Sequence, residues 1–129
     1  MVFFLVCHEP LGKSLSKVIQ NLFDHKINEL IVVDVLENQS PEQVSNFLHQ
    51  EWTKKNSPKS IIVLTDIIGA TPSNGLHMWL SKNLVAYRGI AGVNVPILLS
   101  SLSHKNDDIE IVFNRMKKAG CAGLQELKK

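Results

Sequence analysis

The chain has 129 residues, 44% of them apolar and 20% charged, which suits one ordinary globular domain and excludes a disordered chain. Fourteen Lys and Arg stand against twelve Asp and Glu, a formal net charge of +2 without the basic excess of a dedicated nucleic-acid binder. The two cysteines, Cys7 and Cys121, form no CxxC pair, so neither a structural zinc site nor a disulfide framework is expected, and a reducing compartment is.

Residues 2–7, VFFLVC, form a continuous apolar run, as a strand covered on both faces does. The run lacks a basic flank and is too short for a signal segment or a membrane span, so the expected location is the cytoplasm, without direct membrane insertion. Leu11, Leu15, Val18, Ile19, Leu22 and Phe23 then recur at spacings of three and four, the apolar face of a helix. Leu30–Val35 is a second apolar run. Ser40 and Pro41 read as a cap and a first helical residue, with Gln43 three after the cap, and Val44, Phe47, Leu48 and Trp52 as the buried stripe. Ser60–Thr65 is the third strand and ends at Asp66. Thr71 and Pro72 read as a second cap and helix start, with Leu76, Trp79 and Leu80 inward. A fourth strand is expected over residues 84–91. Asn94, Val95 and Pro96 open a helix through Leu102, and Asp107, Asp108 and Glu110 open another to about Ala119. Residues 124–127 are the candidate for a short final strand.

This alternation predicts one α/β domain over residues 1–129: a doubly wound, mainly parallel four-stranded sheet with helices on both faces. Such sheets bind ligands beyond the carboxyl ends of their strands, where the winding reverses. His8 and Asp66 follow the first and third strands. If those strands are neighbours, about 5 Å apart, the two side chains can hydrogen-bond. A carboxylate accepting from Nδ1–H fixes the imidazole tautomer and leaves Nε2 bare toward the crevice as a nucleophile. Gly69, Ala70 and Thr71 bring backbone amides and a hydroxyl to the start of the third helix, a seat for a phosphoryl anion. Read singly, His8 is a structural histidine, Asp66 a turn cap and Thr71 ordinary capping chemistry. Together at two strand ends they form a candidate site. The other histidines, His25, His49, His77 and His104, have no metal-ligand spacing; His25 and His49 read as solvated and His104 as exposed. No P-loop, no G-x-G-x-x-G after a strand and no nucleophile elbow is present.

The strand end Leu5, Val6, Cys7, His8, the segment from Asp66 to Pro72 (D-x-x-G-[GA]-[ST]-P), and the turn from Gly92 to Pro96 (G-x-N-[IVL]-P) resemble the enzyme IIA component of the mannose-type phosphotransferase system. The resemblance runs from Val2 to about Leu127. It implies that His8 is phosphorylated, that Asp66 orients it, and that Gly69, Ala70 and Thr71 hold the phosphoryl group. It implies phosphotransferase activity in sugar transport, HPr as donor, a IIB protein or domain as acceptor, and no metal or organic cofactor. It also implies a cytoplasmic homodimer that exchanges an antiparallel C-terminal strand, here residues 124–127.

Two positions depart from the family pattern. Glu9 stands where a small residue is usual; a unit charge facing the phosphoryl group at 4 Å would repel it by about 4 kcal/mol at an effective dielectric of about 20, so its direction matters. Cys7 stands where Thr or Ser is frequent, and reads as an inert buried thiol. The same histidine would also serve a regulatory phospho-switch, or a phosphoryl donor to a dihydroxyacetone kinase; a binding module with a structural His8 is the non-phosphoryl alternative.

Overall fold

Successive residues of the first strand point to opposite sides, and both sides are buried. In the computed structural model, which describes residues 1–129, β1 (Val2–His8) lies inside a parallel sheet with β2 (Leu30–Val35), β3 (Ser60–Thr65) and β4 (Ala86–Ala91) in the order β2-β1-β3-β4. Phe4 and Val6 enter a core with Val33, Val63, Leu76 and Trp79, roofed by α2 (Pro41–Lys54) and α3 (Thr71–Lys82). Phe3, Leu5 and Cys7 enter the opposite core with Ile19, Ile62, Leu98 and Met116, roofed by α1 (Leu11–Phe23), α4 (Val95–Ser103) and α5 (Ile109–Ala122). This is the doubly wound α/β sheet that the apolar runs predict, with its winding reversed between β1 and β3.

The capping residues account for the helix starts. The Ser40 hydroxyl accepts from the Gln43 amide at 3.2 Å while the Gln43 side chain accepts from the Ser40 amide at 2.8 Å. Asn94 accepts from the Ile97 amide at 2.9 Å to open α4, and Asp108 accepts from the Glu110 amide at 2.9 Å to open α5.

Several expectations are corrected. The cap of α3 is Ala70, with Thr71 already helical; the Ser73 hydroxyl accepts from the Ala70 amide at 3.2 Å, and no side chain accepts from the amides of the first turn. β4 starts at Ala86, because Leu84 is left wholly exposed beyond the sheet. α5 runs past Ala119 to Ala122, Gly120 packing against Ile97 where a larger residue would crowd it. Of the apolar face expected on α1, Leu11, Val18 and Leu22 stay exposed: Gly12, Ser16 and Ile19 are the residues turned to the sheet. Phe47 is likewise exposed. His49 is not merely solvated, since its Nδ1 accepts from the Trp79 indole N–H at 3.3 Å and ties α2 to α3. Residues 124–127 form no strand within their own chain, and Leu124 and Leu127 are exposed.

The α2–α3 contact closes at Gly75, where an added Cβ would stand 2.5 Å from the Val44 Cβ. Gly75→Ala should therefore destabilise the fold by about 1–3 kcal/mol, the usual cost of overpacking, seen as a lower urea midpoint at unchanged slope. An unchanged midpoint would show that the two helices separate freely.

Candidate functional site

The parallel pairing of β1 with β3 brings Val6 opposite Thr65, so the residues that follow converge at the carboxyl end of the sheet. His8 reaches Asp66 twice: its backbone N–H donates to Oδ2 at 2.9 Å and its ring Nδ1–H donates to the same oxygen at 2.8 Å. An ionised carboxylate only accepts, so the hydrogen of the neutral ring is on Nδ1 and Nε2 carries the lone pair. The His8 side chain is 49% exposed and that of Asp66 only 11%, so the acid is the buried foundation and the ring the open face.

Asp66 is held from both oxygens. Oδ1 accepts from the Ile67 amide at 2.9 Å and from the Thr65 hydroxyl at 3.4 Å. Burial pushes the carboxyl upward, but the bonds from the His8 amide, the His8 ring and the Ile67 amide outweigh it and hold the group below its ordinary range. Behind it, the Gly92 amide donates to the carbonyls of Thr65 and Asp66, both at 3.0 Å, and the Val93 amide to that of Thr65 at 3.1 Å. Gly92 does this at φ +87°, in the left-handed region open to glycine. The turn from Gly92 to Pro96 thus clamps the end of β3 and starts α4.

Gly69, also left-handed at φ +83°, turns the chain from Asp66 into α3. The amides of Gly69 and Thr71 donate to no group of the chain, whereas that of Ala70 is already taken by Ser73. The three residues lie on the same sheet end as His8, but none bonds to it. Among the five helices, α3 alone has no side-chain oxygen accepting from the amides of its first turn. That of α1 is supplied from β2, by Asp34 on the Lys13 amide at 3.1 Å.

Glu9 points away from this arrangement. Its amide donates to the Val35 carbonyl at 3.0 Å, on the β2 side of β1, while Asp66 lies on the β3 side. Its side chain is exposed and lines a cleft with Gln39 and Phe47. Cys7 is fully buried, and burial first, then the charges of Asp66 and Asp34, push its thiol up to about 12, which makes it inert. Ser73 and Asp34 are the supporting residues that spacing does not reveal; Asp34, the one charge in the apolar run LIVVDV, is the visible signal of the two.

The family model described as the PTS system fructose IIA component, the mannose-type EIIA family, matches residues 2–116. The chain belongs to this family of phosphotransferase-system IIA components. The fold of this IIA chain matches that of phosphotransferase system component EIIA from Streptococcus agalactiae (TM-score 0.85, 16% identity, covering 97% of this chain and 95% of that one). It also matches the mannose/sorbose specific IIA subunit from Enterococcus faecalis (TM-score 0.85, 14% identity, 99% and 95% covered). A third match is a sigma-54 interaction domain protein from Enterococcus faecalis (TM-score 0.77, 15% identity, 95% and 90% covered). No curated protein sequence matches the chain. No helix of the IIA chain is long and apolar enough to cross a membrane.

A carboxyl whose folded value is depressed stabilises the fold above its unfolded pKa and loses that contribution as pH falls through the folded value. Asp66→Asn should therefore cost about 1.5–3 kcal/mol near pH 7, the range for hydrogen bonds to a charged group. The gap to the unsubstituted chain should persist down to pH 3.8, the ordinary aspartate value, and close below it. Urea unfolding at a series of pH values reads this directly; a gap independent of pH would show that the charge of Asp66 contributes nothing.

Proposed function

We propose that this IIA chain is a phosphocarrier: Nε2 of His8 takes a phosphoryl group from phospho-HPr and passes it to a IIB protein or domain in sugar uptake. The observation that carries this reading is the bond from His8 Nδ1–H to Asp66, which leaves a half-exposed, unprotonated Nε2 at the switch point of the sheet. The Nε2 lone pair forms the new N–P bond as the bond from phosphorus to the donor breaks, and the donor keeps that electron pair. Asp66 holds the Nδ1 hydrogen throughout and stabilises the positive charge that the ring gains. Loose phosphoryl-transfer transition states ask for positioning and charge placement rather than covalent work, and this site offers both.

The free amides of Gly69 and Thr71, with the Thr71 hydroxyl, form the seat proposed for the phosphoryl oxygens. Around the crevice, Leu11, Leu36, Ile67 and Ile68 are exposed, a surface suited to protein partners rather than to a free sugar. With HPr as donor, the reaction belongs in the cytoplasm. No metal or organic cofactor enters the proposed transfer.

Incubation with phosphoenolpyruvate, enzyme I and HPr should label the chain with one acid-labile phosphoryl group on His8. His8→Ala should take no label, and stoichiometric labelling of it would overturn the assignment. Asp66→Asn should be labelled on the order of 100-fold more slowly, the loss expected when a reacting group is misplaced by about 1 Å.

A homodimer built by exchange of residues 124–127 is the second part of this reading. The edge of β4 opposite β3 has no partner strand, and the exposed Leu124 and Leu127 leave the tail without a seat of its own. Sedimentation should give twice the chain mass for the full chain and a monomer for a chain ending at Gly123; a monomeric full chain at micromolar concentration would refute the exchange.

A further inference from the structure

Two helices open beside His8, and a carboxylate stands at the start of only one of them. α1 begins three residues after His8, and α3 begins five residues after Asp66. Each helix start carries about half a positive charge, so each is a seat for a phosphoryl group.

At the start of α1 a carboxylate is already in place. Asp34 stands on β2 as the register partner of Cys7, one position before His8. Its Oδ2 accepts from the amide of Lys13, the third residue of α1. Pro10, at the cap position itself, gives no side-chain bond to the helix. Asp34 Oδ1 is closed off from solvent and has no hydrogen-bond donor, and Asp34 takes part in none of the ion pairs of the chain. It presses instead on Gly12, where an added Cβ would lie 2.2 Å from Oδ1 and 2.9 Å from Val32. A helix cap alone needs one acceptor oxygen. Here a full carboxylate is kept, its second oxygen unsatisfied, against a residue that has to be glycine to admit it.

We propose that Asp34 is a positioning residue of the phosphoryl site: its carboxylate stands at the start of α1, so that the phosphoryl group on His8 turns to the free amides of Gly69 and Thr71. This rests on the phosphocarrier reading of His8. The negative charge of Asp34 repels a phosphoryl group that leans toward α1, and the uncapped start of α3 attracts it. Asp34 touches neither donor nor acceptor; it acts through the choice of seat.

The test uses phosphoramidate, which needs no protein donor. Nε2 of His8 attacks phosphorus, the P–N bond of phosphoramidate breaks, and ammonia leaves with the electron pair. Asp34→Asn keeps the volume and an acceptor for the Lys13 amide but removes the charge. The phosphorylated Asp34→Asn chain should show a displaced 31P resonance and a shorter phosphohistidine lifetime. Thr71→Ala should shorten that lifetime at least threefold in the native background and less than 1.5-fold alongside Asp34→Asn, because the phosphoryl group then no longer leans on the loop. Gly12→Ala, which expels Asp34 without changing any charge, should reproduce the loss and carries the test if Asp34→Asn fails to fold. Equal factors for Thr71→Ala in both backgrounds, or an unchanged resonance and lifetime in both the Asp34→Asn and Gly12→Ala chains, would overturn the proposal. Failure of phosphoramidate to modify His8 would overturn it together with the reading beneath it. Modification by phosphoramidate but not by phospho-HPr would sink the phosphocarrier reading alone.

Discussion

One hydrogen bond organises the carboxyl end of this protein: His8 Nδ1–H to Asp66 Oδ2, at 2.8 Å. It decides which imidazole nitrogen is bare, and it decides it through an acid that is itself immobilised. Four donors converge on the carboxylate, two of them backbone amides. The ring could swing freely about its χ angles at 49% exposure; the bond to a buried partner is what removes that freedom. None of this is local in sequence. His8 and Asp66 are 58 positions apart and meet only because β3, not β2, follows β1 on that side of the sheet.

The sheet holds that geometry because it is buried from both sides. β1 contributes alternate residues to two separate cores, so a one-residue slip against β3 would exchange their contents and expose neither. What fixes the register is therefore the fit of particular side chains, such as Phe4 against Trp79 at a ring separation of 6.0 Å, rather than a simple inside–outside pattern. α3 carries the loop of residues 69–71, and its seat on α2 depends on the closeness that Gly75 allows and on the Trp79–His49 bond. The packing of one layer thus sets the direction in which the amides of the loop point.

The legible parts of the fold were those with a strong local cause. β2, β3, α1 and α2 have continuous apolar runs, a capping box or helical periodicity, and the structure has them at the expected limits. The site was legible through two strand ends and two loop motifs, since Gly69 and Gly92 are required by left-handed turns and Asn94 by a cap. What stayed hidden depends on contacts between distant segments. Asp34 looks like an anomaly in an apolar strand until α1 is laid over it. The exposure of Leu11, Val18 and Leu22 follows from how α1 is rolled on the sheet, which helical period alone does not specify. His49 reads as a surface residue because its partner, Trp79, lies on another helix.

Charge placement links these observations. On the phosphocarrier reading, a phosphoryl group on His8 adds close to two negative charges beside an aspartate that is already ionised. Three features lessen that conflict. The Asp66 carboxylate faces the ring N–H and two amides rather than the open crevice. Glu9, another carboxylate in the neighbourhood, lines a cleft on the β2 side with Gln39 and Phe47. The start of α3, on the β3 side, offers amides that nothing in the chain has claimed. Negative charge is thus gathered toward β2 and α1, and donors toward β3 and α3, with His8 on the strand between them. That asymmetry across a single strand is what the proposed phosphocarrier role asks of the bare nitrogen: a preferred side on which to carry an anion.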